Sequence, residues 1–327
     1  MKSFSWGILG TGGIAQAFVD DLSRAEGHRV VAVGSRSIDK AQKFASTITE
    51  AAAYGTYGDL VADKSVDAIY VATPHPMHEE HSLLAMDAGK PVLCEKPFAM
   101  SAKQAETMIH ASRTNGVALL EAMWTRYLPH IAMVREILSS NVLGQIQTVE
   151  ADHGQRLADR GINRLVDPNL GGGALLDLGI YPISFAHLVL GNPAHITARA
   201  VMTDRGVDGQ TSAIFDYDNG AQAIINTTMI AQTPCRAVVS GLLGRLEIDR
   251  TFYNPSSMRV VLFDGTTTEY PNSYSGHGLR EQAIEMARVV RAGLLESPLM
   301  PHQETISVMN SMDEIRRQIK LTYPFEN

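Results

Sequence analysis

Two segments of the chain carry side chains that could take a proton from a hydroxyl group and return it. Lys96 lies in the sequence Glu95-Lys96-Pro97 at the end of a predicted strand, while Asp177 and Tyr181 lie four residues apart in a later, glycine-rich segment. On a helix this spacing places an acid and a phenol on one face, which suits proton transfer and hydroxyl binding. A lysine ammonium group near a phenol stabilises the phenolate. The residue types therefore predict that Tyr181, assisted by Lys96, acts as a general base on a carbinol.

A purely structural role is open for each of these residues. Lys96 could be a solvated loop residue paired with Glu95. Asp177 could cap a helix, and Tyr181 could be a core residue of an amphipathic helix. The three glycines at 171–173 let the backbone approach something closely, either a ligand or another domain.

The sequence from Gly10 to Ala15 predicts a phosphate-binding turn. It reads Gly-Thr-Gly-Gly-Ile-Ala, follows the predicted strand Phe4–Leu9 and opens the predicted helix Ile14–Leu22. The glycines permit a tight turn and close approach of the backbone to a pyrophosphate, and the helix N-terminus supplies amide groups and a positive dipole. The alternative is a turn that only joins two elements. The residues predicted to bind the pyrophosphate are Gly10, Thr11, Gly12, Gly13 and Ile14.

The end of the second predicted strand indicates which dinucleotide is bound. An NAD site usually has Asp or Glu there, because a carboxylate binds the ribose hydroxyl groups. This chain has Ser35-Arg36-Ser37, which offers the hydroxyl and guanidinium groups that a 2′-phosphate prefers. Ser35 and Arg36 therefore favour NADP over NAD. The alternative is that Ser37 caps the next helix and that Arg36 is a solvated surface residue.

The pattern of apolar residues predicts two domains. Over roughly the first 120 residues short apolar strands alternate with helical segments, which predicts parallel strands with right-handed crossovers. After Trp124 strand follows strand, with the turn signals Asp-Asn-Gly at 218–220 and Asp-Gly at 264–265. We therefore expect an α/β Rossmann domain at residues 1–123 and an α+β domain with an open, mostly antiparallel sheet at residues 124–327.

Composition excludes several classes of protein. The chain has 28 Lys and Arg against 35 Asp and Glu, a net charge of −7, so nucleic acid is not expected as a partner. No apolar run approaches the roughly 20 residues of a membrane span, so no membrane partner is expected. The N-terminal residues form a strand-like segment rather than a signal peptide, and the chain has only two cysteines. Both observations favour a cytoplasmic location.

The histidine-rich segment His75–His81 does not fit a zinc motif. That motif needs two histidines at i and i+4 with Glu between them, whereas His78 and His81 are three residues apart. We therefore expect no metal. His75 or His78 is expected near the nicotinamide and His81 at the surface.

Taken in chain order, these motifs resemble the glucose–fructose oxidoreductase/inositol dehydrogenase (GFO/IDH/MocA) family. The resemblance covers essentially the whole chain and rests on Gly-x-Gly-x-x-Ala, Glu-Lys-Pro and Gly-Gly-Gly-Ala-Leu-Leu-Asp-Leu-Gly-Ile-Tyr. The segment Glu121–Pro129, and Tyr181 where many members carry His, are most similar to the branch of dihydrodiol dehydrogenases and NADP-dependent D-xylose 1-dehydrogenases.

The resemblance implies a role for each candidate residue. Lys96 and Tyr181 carry the chemistry, and Asp177 helps to orient the substrate. The residues implied to line the nicotinamide half of the cofactor are Thr73, Pro74, His75, Glu95 and Trp124. His78, Lys96 and Arg126 are also predicted to bind the cofactor. The sheet of the second domain forms a dimer interface in this branch, so a homodimer is expected, with a higher oligomer left open. Because neither of the predicted strands at 222–230 and 258–263 has one clean polar face, the sequence agrees with a sheet covered on both faces.

These observations lead to one expected activity and two alternatives. We expect an NADP-dependent oxidoreductase that transfers hydride between the nicotinamide and a carbinol of a sugar or a trans-dihydrodiol. The first alternative is the same chemistry on inositol or on a sugar phosphate, for which a basic pocket could come from Arg126, Arg156, Arg160 and Arg164. The second is a non-catalytic regulator of the same fold that senses NADP.

Overall fold

The computed structural model describes residues 3–326 and divides into two compact units. Among the described residues, unit 1 comprises those up to Tyr127 together with Gly276–Ile306, and unit 2 comprises Leu128–Ser275 together with those from Ser307 onward. This division differs from the predicted boundary between residues 123 and 124. The difference lies mainly in the segment Gly276–Ile306, which the sequence pattern assigned to the second domain.

The chain alternates strands and helices at first and is then dominated by strands. The strands are β1 (Phe4–Leu9), β2 (His28–Gly34), β3 (Ala52–Tyr54), β4 (Ala68–Val71), β5 (Val92–Glu95), β6 (Leu119–Ala122), β7 (Ile146–Gly154), β8 (His195–Met202), β9 (Asp208–Asp216), β10 (Gln222–Thr228), β11 (Ala237–Gly241), β12 (Gly244–Ile248), β13 (Met258–Leu262) and β14 (Thr267–Tyr270). The helices are α1 (Gly13–Leu22), α2 (Ile38–Ala45), α3 (Tyr57–Ala62), α4 (His78–Asp87), α5 (Ala102–Asn115), α6 (Pro129–Ser139), α7 (Asn163–Val166), α8 (Ile180–Leu190), α9 (Leu279–Arg291) and α10 (His302–Ile319).

Unit 1 contains a parallel sheet of six strands in the order β3-β2-β1-β4-β5-β6. All six residues of β1 are buried, as expected for a strand covered on both faces. Leu9 is level with Gly34 on β2 and with Val71 on β4, so the carboxyl ends of these strands meet at one edge of the sheet. This register brings together the turns that carry the predicted cofactor residues.

Helix α5 of unit 1 is capped at both ends by its own sequence. Ser101 is the N-cap of α5, and its side-chain oxygen accepts a hydrogen bond of 3.3 Å from the Gln104 amide. The Gln104 side chain in turn accepts from the Met100 amide at 2.9 Å. Gly116 ends the helix with a left-handed φ of 64°. Reciprocal capping of this kind satisfies amide groups that a helix leaves without partners.

A buried carboxylate joins the first helix of unit 1 to its last. Asp21, in α1, accepts hydrogen bonds of 2.9, 3.0 and 2.9 Å from the backbone amides of His277, Gly278 and Arg280. Burial alone would raise the pKa of Asp21, but these amides and the Arg280 guanidinium lower it. The segment Gly276–Ile306 is thereby tied to α1 within unit 1.

Unit 2 is built on a sheet of eight strands in the order β14-β13-β12-β11-β7-β10-β9-β8. All its strand pairs are antiparallel except β7 with β10, and the predicted turns at 218–220 and 264–265 join β9 to β10 and β13 to β14. On β10, Ala223 and Ile225 are buried on the face that packs against α8, whereas Ile224 is 43% exposed on the other face. The predicted fold class is confirmed.

One segment of unit 2 corrects the expectation that no apolar run approaches the length of a membrane span. Residues Pro168–Leu190 are long and apolar enough, with a mean hydropathy of 1.5, although 83% of the relevant window is buried inside the fold. The core helix of a folded domain meets the same test, so the segment is weak evidence for a membrane. Nothing else between residues 3 and 326 meets it.

Candidate active site

The turn after β1 has the geometry of a phosphate cradle. Gly10 has a φ of +106°, and a Cβ there would lie 2.7 Å from the Ala72 carbonyl oxygen, so only glycine fits. By contrast, no atom lies within 4 Å of the positions that a Cβ on Gly12 or Gly13 would occupy. The first amide groups of α1 have no partners within the helix and favour an anion. The open space beside them fits a pyrophosphate.

A cavity of about 400 Å³ continues from this turn to the ends of β2 and β4. Its lining residues are Gly10, Thr11, Gly12, Ser35, Arg36, Ser37, Lys40, Tyr57, Ala72, Thr73 and Pro74. Ser35 is buried, whereas the cations Arg36 and Lys40 are exposed at the cavity. No acidic residue is among the described residues of this lining. Two cations beside a hydroxyl suit a 2′-phosphate better than the ribose hydroxyl groups of NAD.

Ser37 stands at the N-cap of α2, but its side chain makes no capping hydrogen bond. Its amide instead approaches the Ser35 hydroxyl at 3.5 Å. The helix-capping alternative for this segment therefore has no support from the contacts of Ser37.

Two histidines of α4 hold the turn after β4 from within. The ring of His78 has Nε2 2.9 Å from the Thr73 carbonyl and Nδ1 2.9 Å from the Pro97 carbonyl, and His81 Nδ1 lies 3.0 Å from Thr73 Oγ1. His78 is fully buried, and burial lowers its pKa to about 4. Its side chain therefore supports the turn, and the contact predicted between this side chain and a cofactor is not supported. His75 is also buried, at 5% exposure.

The prediction that His81 lies at the surface is wrong. His81 is 7% exposed, and its ring packs edge-on against Tyr57 with 4.7 Å between the ring centroids. His78 and His81, whose spacing does not match a zinc motif, take part in packing and hydrogen bonding. Within the described part of the chain, no three His, Cys, Asp or Glu side chains are grouped so that they could hold a metal ion.

The carboxylate of Glu95 fixes the direction of the chain at Lys96. Glu95 is 4% exposed, and its two oxygens accept hydrogen bonds from the Tyr70 hydroxyl and, at 3.2 Å, from the Lys96 amide. Lys96 follows β5 directly and is half-buried, and the Lys96–Pro97 peptide is cis. Glu95 thus binds the backbone of the turn that carries Lys96.

Trp124 and Arg126 follow β6 and are both buried, at 4% and 1% exposure. The Trp124 ring lies 5.2 Å from the His277 ring, and Arg126 donates to Glu304 at 2.5 Å. Nearby, burial raises the pKa of Glu121 to about 7, and Thr305 Oγ1 donates to Glu121 at 2.9 Å. The guanidinium of Arg126 is therefore engaged by a carboxylate of its own unit.

In unit 2, Tyr181 lies in a cluster of rings. It is 7% exposed, and its ring centroid is 4.7 Å from that of Tyr253 and 5.3 Å from that of His153. His153 Nδ1 donates to the Leu178 carbonyl oxygen at 3.2 Å. The side-chain amide of Gln155 donates to His153 Nε2 at 2.9 Å and to the Tyr253 hydroxyl at 2.8 Å. These partners place the proton of His153 on Nδ1. The cluster therefore orients the Tyr181 ring.

Asp177 precedes Tyr181 in a turn of π-helix, Leu175–Gly179, that leads into α8. A π-turn within a helix is rare and often marks a functional site. Asp177 is 8% exposed and pairs with Arg164, whose Nη1 lies 3.0 Å from Oδ1. The sequence predicted a regular helix here, because the apolar pattern does not distinguish the two helix types.

Two family models match the chain. Residues 4–123 match the model described as the oxidoreductase family with an NAD-binding Rossmann fold, GFO/IDH/MocA, and residues 131–247 match the model of the GFO/IDH/MocA C-terminal domain. The chain belongs to the GFO/IDH/MocA family. The predicted resemblance is confirmed, and so is the prediction of a dehydrogenase that acts on CH–OH groups with a nicotinamide cofactor.

Members of the GFO/IDH/MocA family with named activities match along nearly the whole chain. A trans-1,2-dihydrobenzene-1,2-diol dehydrogenase from Danio rerio is 38% identical, with 97% of each chain covered. A D-xylose 1-dehydrogenase (NADP(+)) from Hypocrea jecorina is 35% identical over 98% of this chain and 93% of its own.

A solved structure of similar fold is that of a 3-ketoreductase from Actinomadura kijaniata in complex with NADP and TDP-benzene. Its TM-score is 0.86 at 27% identity, with 97% of this chain and 98% of that chain covered. The same ketoreductase has been solved as a tyrosine-to-phenylalanine variant and as a lysine-to-alanine variant.

Several residues of the candidate site were missed by sequence reasoning. Lys40 lies in the first turn of α2, four residues after Arg36, and a second cation so close to the end of β2 was a usable signal. His153, Gln155 and Tyr253 carry no such signal, because the sheet brings them to Tyr181 from distant positions in the sequence.

Proposed function

We propose that this protein is an NADP-dependent dehydrogenase of a secondary carbinol in a sugar or a trans-dihydrodiol. The cofactor is NADP, since Ser35, Arg36 and Lys40 surround the cavity at the end of β2 without a carboxylate among its described residues. That cavity is the observation that carries the choice of cofactor. The activities named for the relatives support the class of substrate.

In the proposed reaction, Tyr181 accepts the hydroxyl proton of the carbinol. When bound, the nicotinamide supplies the acceptor for the hydride that leaves the carbinol carbon. The Lys96 ammonium stabilises the negative charge that develops on oxygen, and Asp177 binds a neighbouring hydroxyl. The variants of the ketoreductase support the choice of a tyrosine and a lysine as the residues to test. The reverse reduction uses the same groups.

Free sugars and diols are favoured over sugar phosphates, because three of the four arginines that could form a phosphate pocket, Arg126, Arg156 and Arg164, have carboxylate partners. Arg156 pairs with Asp159 at 2.5 Å, and Arg164 pairs with Asp177 at 3.0 Å. The phosphate group of a sugar phosphate would have to displace these carboxylates from the arginines.

The first experiment is a fluorescence titration with NADPH and NADH, followed by turnover assays with the preferred cofactor. The substrates are D-xylose, a trans-dihydrodiol, inositol and a sugar phosphate. We expect preference for NADPH and turnover on D-xylose or the dihydrodiol. Turnover on the sugar phosphate alone would contradict the substrate class, and NADPH binding without any turnover would favour a regulator.

The catalytic assignment is tested by Tyr181→Phe, with Tyr270→Phe as the control in the same unit. Loss of general acid–base catalysis lowers kcat by about 10²–10⁴-fold. We expect this loss for Tyr181→Phe with the dissociation constant for NADPH unchanged, and normal kcat for Tyr270→Phe. Normal kcat in Tyr181→Phe would contradict the role given to the phenol.

The proposal includes a homodimer formed through the open face of the unit 2 sheet. Ile214 on β9 and Ile224 on β10 are directly opposite each other on that face and are 42% and 43% exposed. A sheet face that meets water is normally polar, so exposed isoleucines favour a partner. We also place the protein in the cytoplasm, in agreement with Cys94 and Cys235, which are both free thiols.

A further inference from the structure

A buried carboxyl group lies beneath the start of the helix that carries Asp177 and Tyr181. Asp208, the first residue of β9, is fully buried. Its Oδ2 accepts hydrogen bonds from the Leu175 amide at 2.8 Å and from the Thr211 hydroxyl at 2.7 Å. Its Oδ1 is buried and has no hydrogen-bond partner among the residues that the structure describes. Burial of such an oxygen is costly, so its retention needs a reason.

The glycine-rich turn is shaped around this carboxyl group. Gly173 has a φ of +120°, and a Cβ on it would lie 2.3 Å from Asp208 Oδ1. A Cβ on Gly172 would lie 2.8 Å from the Leu165 carbonyl oxygen. Two of the three glycines in this motif therefore allow the backbone to close on groups of unit 2 itself, and at Gly173 that group is Asp208.

Three side chains of the sheet hold the first helical turn. Asp208 accepts from the Leu175 amide, Thr227 Oγ1 donates to the Ala174 carbonyl at 3.3 Å, and the Leu178 carbonyl accepts from His153 Nδ1 at 3.2 Å. Of these three side chains, only Asp208 binds an amide group at the N-terminal end, where a helix lacks internal partners. It thus fixes the direction in which the π-turn starts.

We infer that Asp208 is a positioning residue, which sets the start of the π-turn and so the placement of Asp177 and Tyr181. Leu175 is two residues before Asp177 and six before Tyr181, so a shift of the Leu175 amide passes along the rigid helix to both side chains. This inference rests on the proposed function, because it matters for catalysis only if these two residues act on the substrate.

The test compares Asp208→Ala, which removes the acceptor, with Asp208→Asn, which keeps an acceptor oxygen. Misplacement of a catalytic group by about 1 Å costs about 10²-fold in rate. We expect kcat to fall roughly 10–100-fold in Asp208→Ala, while the dissociation constant for NADPH changes less than about twofold. Asp208→Asn is expected to recover kcat to within roughly fivefold of the wild type.

A second variant and two controls keep the outcome interpretable. Thr211→Val leaves the carboxyl group but removes one of the two groups that aim Oδ2, and we expect a kcat loss of roughly 3–10-fold. It decides the matter if Asp208→Ala does not fold. Wild-type kcat in a folded Asp208→Ala overturns the inference, and so does wild-type kcat in Thr211→Val if Asp208→Ala does not fold. If Tyr181→Phe itself retains activity, the proposed function has failed instead, because the residue to be positioned is then not catalytic.

Discussion

At the scale of single residues, the cofactor cavity is lined by two cations, and no acidic side chain among its described lining residues pairs with them. Arg36 and Lys40 are both exposed, and the described lining of the cavity offers them no carboxylate. The free energy that they contribute to a bound 2′-phosphate is therefore not offset by an ion pair that must first be broken. Discrimination between NADPH and NADH is expected to depend on these two side chains.

Removal of these charges should weaken NADPH binding selectively. Hydrogen bonds to charged groups contribute about 1.5–3 kcal/mol, so Arg36→Ala should raise the dissociation constant for NADPH roughly 10–100-fold. Lys40→Ala should act in the same direction. The constant for NADH should stay unchanged, since NADH has no 2′-phosphate. Fluorescence titration measures both, with Lys43→Ala, an exposed cation of the same helix outside the cavity, as the control. Equal loss for NADH and NADPH would contradict the assignment.

The buried side chain of His78, which contacts the turn at Thr73, should make the stability of the fold depend on pH. Its pKa in the folded protein is about 4, lowered by burial, against 6.5 in the unfolded chain. A base whose folded pKa is depressed adds stability above the unfolded value and loses it as the pH falls toward the folded value. Between pH 7 and pH 5 this group alone should therefore cost about 2 kcal/mol of unfolding free energy.

The corresponding measurement is urea unfolding of the wild type and of His78→Gln at pH 7 and at pH 5. Gln keeps a donor and an acceptor but does not titrate. The wild type should lose about 2 kcal/mol more than the variant over this range, and the groups common to both proteins cancel in the comparison. An identical loss in both proteins would mean that His78 does not carry the pH dependence.

At the scale of elements, unit 1 depends on a contact that spans most of its sequence. Asp21 on α1 accepts hydrogen bonds from three backbone amides at the start of α9, those of His277, Gly278 and Arg280. Its neighbour Asp20, on the same helix, is exposed. Because α1 also presents its N-terminus to the predicted pyrophosphate, this contact ties the phosphate-binding helix to the segment Gly276–Ile306.

Asp21→Asn should therefore destabilise unit 1, whereas the same change at Asp20 should not. An Asn side chain keeps one acceptor oxygen and loses the charge, so the hydrogen bonds from three amides and from Arg280 are weakened together. We expect a loss of about 2–3 kcal/mol in unfolding free energy, measured by urea unfolding, and less than about 0.5 kcal/mol for Asp20→Asn. Equal effects in the two variants would contradict a special role for Asp21.

Much of this element structure could be predicted, and the exceptions have physical causes. The strand Phe4–Leu9 and the helix α1 were predicted because their signals are local. The short elements β3, α3 and β14 were missed, since three to six residues give too little periodicity. The place of Gly276–Ile306 in unit 1 was missed because it depends on Asp21, more than 250 positions away along the chain.

The candidate site divides in the same way. The glycines after β1 and the residues Ser35 and Arg36 could be predicted because one turn supplies them all. The environment of Tyr181 could not, because His153, Gln155 and Tyr253 reach it from β7 and from a loop after β12 through the register of the sheet. The buried position of His81 depends on the packing of Tyr57, which no local pattern encodes.

At the scale of the whole molecule, the open face of the unit 2 sheet carries exposed isoleucines, whereas a sheet face that meets water is normally polar. Ile214 and Ile224 form a cross-strand pair there, and Ile224 is also level with Glu150 on β7. The opposite face of β10 is buried, with Ala223 at 0% and Ile225 at 2% exposure, so the isoleucines are surplus to the core of the unit. An interface between two copies of the chain would bury this pair in two symmetric positions.

Ile224→Glu should convert a dimer into a monomer without unfolding the chain. A carboxylate at this position would lie close to Glu150 and would lose its hydration in an interface, which disfavours association by several kcal/mol. Light scattering after size-exclusion chromatography should give about 71 kDa for the wild type, twice the 35.5 kDa of the chain, and 35.5 kDa for the variant. Leu294→Glu is the control, since Leu294 is 44% exposed in unit 1, and it should stay dimeric.

A wild-type mass of 35.5 kDa, or an Ile224→Glu variant that remains a dimer, would show that this face is not the interface. A wild-type mass near that of four chains would indicate a second interface elsewhere.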